Sequence, residues 1–281
     1  MDNFQAIILG LVQGLTEFLP VSSSGHLAIF QNMFGIDENN VLFFAAMLHI
    51  GTLLSVFVAY WRDIVDLCKE LVGAFKDLST EKSFKINKNP TRRLGFMIIV
   101  SAIPTGIIGF CLSDFFESLF TKMTFVGVGL LITGTILCIA ERFGSGEKDV
   151  YGMRVRDAFF IGLCQSVAIA PGISRSGSTL VGGLFSGLNR PLAVKFAFLM
   201  SIPPIAASGI MELATAIGQG LQGVSALTVI LGVVISFVSG LIAIKWMVKI
   251  VTNKRLFYFS IYTWVVGSLV IALSLMGVLI V

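Results

Sequence analysis

The sequence predicts an all-α polytopic membrane protein: six transmembrane helices plus two re-entrant helix-loop-helix hairpins, organised as an inverted-topology internal repeat. Three observations predict it. The 281 residues are 56% hydrophobic and only 13% charged, with a mean hydropathy of +0.91, values foreign to a water-soluble domain of this length. Six stretches stay apolar over the roughly 20 residues that a helix needs to cross a hydrocarbon core about 30 Å thick. Finally, a turn rich in serine, PVSSSGH at 20–26, has an echo in PGISRSGS at 171–178.

The elements follow in order. The apolar stretch 6–12 is too short to cross a bilayer before the polar turn arrives, so residues 3–36 read as a re-entrant hairpin. Non-helical backbone at membrane depth is tolerated only where protein or a wet cavity surrounds it, and that already points to a site. Crossings are expected at 41–61, 94–112 and 124–140, completing a first repeat of about 1–140. The second repeat, about 157–281, holds a hairpin at 157–188 and crossings at 192–216, 226–247 and 257–281. Together they form a single membrane domain, 1–281.

Charge sets the orientation. Residues 62–93 carry eight Lys/Arg and 141–157 carry four, while 248–256 holds Lys249, Lys254 and Arg255. By the positive-inside rule all three are expected to be cytoplasmic loops. The segments 113–123 and 217–225 have one lysine between them, which suits the outer side. The N-terminal MDNFQAIILG has neither a basic leader nor a cleavage pattern, so no cleaved signal peptide is expected. Four well-separated cysteines argue against disulfide and zinc frameworks. A net charge of +4 is too small to suggest nucleic acid as a partner.

Sliding the sequence by 152 aligns 5–52 on 157–204 without a gap. Gly10 falls on Gly162, Gln13 on Gln165, Ser22 on Ser174, Ser24 on Ser176, Gly25 on Gly177 and Gly35 on Gly187. Each copy has one hairpin and three crossings, an odd number, so the copies lie in opposite orientations. The first hairpin then enters from outside and the second from inside. Inverted repeats of this kind bring half-helix N-termini together at mid-membrane.

The turns suit an anion. Backbone N–H groups, serine hydroxyls and a helix N-terminus all favour phosphate. The differences between copies carry the chemistry: Glu17 faces Ile169, Ser23 faces Arg175 and His26 faces Ser178. One turn has a carboxylate, a hydroxyl nucleophile and an imidazole. The other has a guanidinium able to grip phosphoryl oxygens. Gln13 and Glu17 share a helix face, where Glu17 could bind a divalent metal through oxygen with Gln13 beside it. The plainer reading is that small residues here serve close helix packing; Glu17 and His26 in one turn weigh against it. His49, in AAMLHIG, reads as a packed or hydrogen-bonded residue.

Residues 13–26, QGLTEFLPVSSSGH, and 171–178, PGISRSGS, resemble the two signature motifs of the bacterial undecaprenyl pyrophosphate phosphatases, also called the bacitracin-resistance protein family. The resemblance runs the length of the chain. It implies hydrolysis of the terminal phosphate of a C55 polyisoprenyl pyrophosphate, in the bacterial plasma membrane, at a site opening to the outer side. It further implies a divalent cation, Mg²⁺ or Ca²⁺, a polyprenyl pyrophosphate lipid as substrate among membrane lipids, and a homodimer as an expected assembly.

By the same resemblance the catalytic residues are Glu17, Ser23, His26 and Arg175. Ser22, Ser24, Gly25, Ser174, Ser176 and Gly177 bind substrate, and Glu17 with Gln13 holds the metal. Gln13 stands where other members have a second glutamate; an amide could coordinate weakly but could not act as a base. Three attacking groups use the same atoms: Ser23 activated by His26, His26 itself, or water activated by His26. His26 as base or nucleophile with Ser23 beside it is preferred. The rival is a polyprenyl-phosphate flippase or anion transporter of the same architecture, which has no need of the Glu17/His26 asymmetry.

Overall fold

A computed structural model describes residues 1–36, 38–119, 122–144, 146–219 and 224–279. The expected loop 217–225 and the end of the crossing 257–281 fall partly outside the described residues. All named elements are helices, and the one β-bridge among the described residues joins Lys148 to Leu188. In chain order they are α1 (Asn3–Phe18), α2 (Ser23–Phe34), α3 (Glu38–Ala59), α4 (Trp61–Glu81), α5 (Pro90–Cys111) and α6 (Ser113–Leu119). α7 (Met123–Phe143), α8 (Val155–Val167), α9 (Arg175–Phe185), α10 (Arg190–Gln219), α11 (Ala226–Thr252) and α12 (Phe257–Leu275) follow.

Five helices are long and apolar enough to cross a membrane by themselves: α5, α7, the Arg190–Met211 part of α10, α11 and α12. A sixth candidate combines Phe43–Ala59 with α4 across an 83° bend. The chain is therefore a multi-pass membrane protein. Its spans show lipid-facing residues such as Ile230, Val234, Val238 and Ile242 on α11, while Gly232, Ser236, Ser239 and Gly240 of the same helix are buried. Small residues on the buried face let helix backbones approach, which is how membrane helices gain dispersion contact where no hydrophobic effect separates protein from lipid.

Two glycines require that approach. α1 lies along α11, where a Cβ on Gly10 would stand 2.6 Å from the Gly232 carbonyl oxygen. α8 lies along α5, where a Cβ on Gly162 would stand 2.2 Å from the Ser101 carbonyl oxygen. The two residues paired by the sequence alignment thus make equivalent contacts with different partners. α1 is only 16 residues long, about 24 Å at 1.5 Å per residue, and α8 is shorter still at 13 residues. Neither meets the length of a full crossing.

The stretch 62–93 is not the loop that its charge suggested. Most of it is α4, whose charges fall on one side and whose apolar residues Leu71, Val72 and Phe75 are exposed on the other. Hydropathy alone missed this helix because a period of 3.6 averages apolar and charged residues to near zero. α4 is tied back to α5 by Arg92, which is 5% exposed and pairs with Glu70 (2.8 Å) and Asp77. The helices also extend into the expected loops 141–157 and 248–256, with α7 running to Phe143 and α11 to Thr252.

Candidate active site

Two helix breaks meet inside the bundle. α1 stops where Leu19 and Pro20 follow, and α2 restarts under Ser22, whose hydroxyl accepts from the Gly25 N–H at 3.3 Å. α8 stops at Val167 and α9 restarts under Ser174, whose hydroxyl accepts from the Gly177 N–H at 3.1 Å. Each cap serine lies beside the serine two positions on, Ser22–Ser24 at 3.4 Å and Ser174–Ser176 at 3.2 Å. Gly35 and Gly187, both at positive φ, end the two short helices. Locally the turns are copies.

They also touch. Ser176 Oγ donates to the Leu19 carbonyl at 3.2 Å, and a Cβ on Gly25 would lie 3.3 Å from Gly172 Cα. α7 backs the second turn: Thr133 Oγ1 donates to the Gly172 carbonyl and accepts from the Ser174 N–H, each at 3.0 Å. Two helix N-termini are thereby aimed into one region, the arrangement that favours an anion.

Glu17 sits at the centre with its side chain 3% exposed. A carboxylate only accepts, and Oε2 receives the Gln13 amide at 3.0 Å and the Ser23 hydroxyl at 2.6 Å. Oε1 lies 3.2 Å from Arg175 Nη2. A small cavity beside them is lined by Glu17, Arg175, Ser176, Thr179, Phe198 and Ser201. Two buried atoms here have no hydrogen-bond partner among the described residues: Arg175 Nη1, a cationic donor, and Gln13 Oε1, a neutral acceptor. A phosphoryl oxygen complements the first and a cation the second.

His26 points elsewhere. Its Nδ1 lies 2.8 Å from the Ser22 carbonyl oxygen and its Nε2 lies 2.8 Å from the Tyr262 hydroxyl of α12. Ser22 has φ 71° and ψ 99°, a region that costs a non-glycine residue of order 1–3 kcal/mol. Ser174, its counterpart, is relaxed at φ −73° and ψ 121°. The strain is confined to the turn that carries the imidazole, and the carbonyl so displaced also accepts the His26 N–H at 3.2 Å.

Of the residues singled out in the sequence, Gln13, Glu17, Ser23 and Arg175 are brought together. Ser22, Ser24, Gly25, Ser174, Ser176 and Gly177 build the two turns around them. The expected Ser23–His26 pairing is not formed: Ser23 bonds Glu17, while His26 bonds Ser22 and Tyr262. His49, expected to be a packed or hydrogen-bonded residue, stands within electrostatic range of the Glu17 carboxylate. Thr133 and Tyr262 were not anticipated. Both lie outside the serine motifs, and a threonine or tyrosine in a membrane span is too common for its type alone to mark a site.

Among the described residues no cluster of three or more His, Cys, Asp or Glu could cage a metal. The Glu17 carboxylate and the partnerless Gln13 Oε1 do fit a hard cation, of the kind that takes one carboxylate and completes its shell with phosphate oxygens and water.

A family model, bacitracin resistance protein BacA, matches residues 6–269. An undecaprenyl-diphosphatase of Alkaliphilus metalliredigens is 49% identical over 98% of this chain and all of its own length. Undecaprenyl-diphosphatases of Carboxydothermus hydrogenoformans and Bacteroides fragilis are each 40% identical, over 99% and 98% of this chain and 99% of their own lengths.

Proposed function

The chain belongs to the bacitracin resistance protein BacA family, and from this premise we infer that it is an undecaprenyl-diphosphatase. It is an integral-membrane enzyme that hydrolyses the terminal phosphate of undecaprenyl pyrophosphate and regenerates the undecaprenyl phosphate carrier for cell-wall synthesis. The observation that carries the reading at the level of residues is the Glu17–Arg175 contact, which joins a reactive turn to a cationic one.

In this reading Arg175, through the Nη1 left without a partner, and the N–H groups opening α2 and α9 take the charge of the transferring phosphoryl group. Gln13 and Arg175 hold the Glu17 carboxylate, and Glu17 in turn orients Ser23. An attack by Ser23 on the terminal phosphorus would hand its proton to Glu17, towards which the hydroxyl already points at 2.6 Å, and break the P–O bond to undecaprenyl phosphate, which leaves; water would then hydrolyse the phosphoserine to inorganic phosphate. His26 Nε2 is the alternative attacking atom or base. A trapped acid-stable phosphoserine or acid-labile phosphohistidine separates the two. A Mg²⁺ or Ca²⁺ ion held by Glu17 and Gln13 Oε1 would neutralise pyrophosphate charge when bound.

We read the architecture in the same way. The matched serine caps, the matched glycine closures and the equivalent packing of Gly10 and Gly162 support two inverted repeats with re-entrant hairpins α1–α2 and α8–α9. The Lys/Arg of α4 and of the segment before α8 support a cytoplasmic placement for those segments, and with it a first hairpin entered from the outer side.

The test is inorganic phosphate release from C55 pyrophosphate by the purified protein in detergent, with and without EDTA, alongside Glu17→Ala and Arg175→Ala. Cation-dependent release that both variants abolish is expected. A folded wild-type protein that releases none would overturn the reading in favour of a flippase or transporter, since detergent leaves no second compartment to transport into.

A further inference from the structure

His26 has both ring nitrogens engaged, and the two partners are not equivalent. The Ser22 carbonyl oxygen at 2.8 Å can only accept, so Nδ1 carries a proton. The neutral ring then has its lone pair on Nε2, and the Tyr262 hydroxyl 2.8 Å away donates to it. The rings are nearly parallel, 8° between planes with centroids 5.6 Å apart, and the phenol oxygen lies within hydrogen-bond reach of Nε2. The partner that fixes one nitrogen of a histidine decides what the other can do.

The two partners also differ in how firmly they are held. Ser22 is 2% exposed, and its carbonyl also accepts the His26 N–H where α2 begins. Tyr262 comes from a different part of the chain, is 44% exposed, and lies on α12 among lipid-facing neighbours such as Ile261 and Val265. One bond is built into the hairpin; the other is a single side chain that a rotamer change would remove.

We infer that Tyr262 is a positioning residue for His26: the Ser22 carbonyl sets the Nδ1–H tautomer, and the Tyr262 hydroxyl holds the bare Nε2, the working nitrogen, in place and occupies the position that a reacting group takes when it swings aside. Only the kinetic consequence rests on the phosphatase reading; the tautomer follows from geometry. With Tyr262 removed, the ring still bonds the Ser22 carbonyl, but Nε2 loses the donor that fixes its orientation in the resting enzyme. The expected kinetic effect is a lower kcat with little change in KM, because among the described residues Tyr262 bonds His26 and not the serines or Arg175 that grip the phosphates.

The chain has only two histidines, His26 and His49, so ¹⁵N-histidine labelling gives a spectrum that one His49→Gln variant assigns. In the wild type, His26 should show a protonated Nδ1 and a bare Nε2. In Tyr262→Phe the Nδ1–H tautomer should persist on the Ser22 carbonyl while the Nε2 resonance moves as it loses its hydrogen bond, and phosphate release should fall about tenfold in kcat with KM within about twofold. A wild-type proton on Nε2 overturns the inference, as does a Tyr262→Phe variant that keeps either the wild-type Nε2 resonance or the wild-type kcat. Should Tyr262→Phe fail to fold, the wild-type Nε2 shift decides: a lone pair with no hydrogen-bond donor overturns the inference. Absent phosphate release by the wild type would sink the phosphatase reading and leave the spectrum to judge Tyr262.

Discussion

Glu17, near the end of α1, and Arg175, the first residue of α9, approach to 3.2 Å, and no other charged pair among the described residues joins the two serine turns. The pair is asymmetric in burial, with the carboxylate 3% exposed and the guanidinium 25%. That asymmetry separates what the two groups do for stability from what they do for activity.

Arg175→Ala leaves Glu17 buried without its counter-charge, which should cost about 3–5 kcal/mol of stability. The double variant Glu17→Gln with Arg175→Met removes both charges together and should recover most of that loss. Neither should recover phosphate release, which is expected to fall by more than about a hundredfold in both. Thermal unfolding in detergent and phosphate assays on the same preparations would check the two halves. A double variant that regained activity would remove the pair from the chemistry.

The proposed cation site offers a second test, because Gln13 Oε1 is buried without a partner among the described residues. Gln13→Glu replaces a neutral oxygen by a carboxylate and should lower the half-saturating Mg²⁺ or Ca²⁺ concentration about tenfold; Gln13→Leu should raise it by a similar factor. Titrating activity against free cation would show either change. Equal midpoints in all three proteins would place the metal elsewhere.

The sequence reached the site before it reached the fold around it. Glu17, Ser23 and Arg175 were legible because Ser22, Ser24 and Gly25 recur as Ser174, Ser176 and Gly177, and the reactive or charged residues stood out against that shared frame. Which hydroxyl meets which base was not legible: His26 faces Tyr262 of α12 and Ser23 faces Glu17, pairings set by how separate helices pack. Tyr262 and Thr133 were invisible for a related reason. Their roles are set by where α12 and α7 pack, and packing partners across the bundle are not encoded in local periodicity. α4 escaped because its charge count outweighed its 3.6-residue pattern.

The close fit behind the second turn can be probed at Gly129, where a Cβ would lie 2.2 Å from the Pro171 carbonyl oxygen and 2.8 Å from Gly172 Cα. Gly129→Ala must push this turn, and Arg175 with it, away from Glu17, costing about 1–3 kcal/mol and most of the activity. Gly106, also inside a helix, would have nothing within 4 Å of an added Cβ. Gly106→Ala should therefore raise stability by about 0.5–1 kcal/mol through helix propensity, with activity unchanged. Equal responses at the two positions would mean that α7 does not brace the turn.

The clasp between α4 and α5 makes stability depend on pH. Asp77 accepts hydrogen bonds from Arg92 and Lys88, which hold its carboxyl below the usual range. At Glu70 partial burial works in the opposite direction, and the bonds from Arg92 and Asn89 outweigh it, so its carboxyl is also lowered. A carboxyl lowered on folding binds fewer protons in the folded state than in the unfolded one. Its contribution is therefore complete above the unfolded value near pH 4 and is lost as pH falls through the folded value. The wild-type unfolding temperature should drop between about pH 5 and pH 3. Asp77→Asn should start lower at pH 7, where it lacks the charge, and fall less on acidification, so that the two curves converge at the acid end. Parallel curves would show that the clasp contributes nothing that titrates, and would leave the 83° bend between α3 and α4 to the Asp63–Lys195 ion pair and apolar packing.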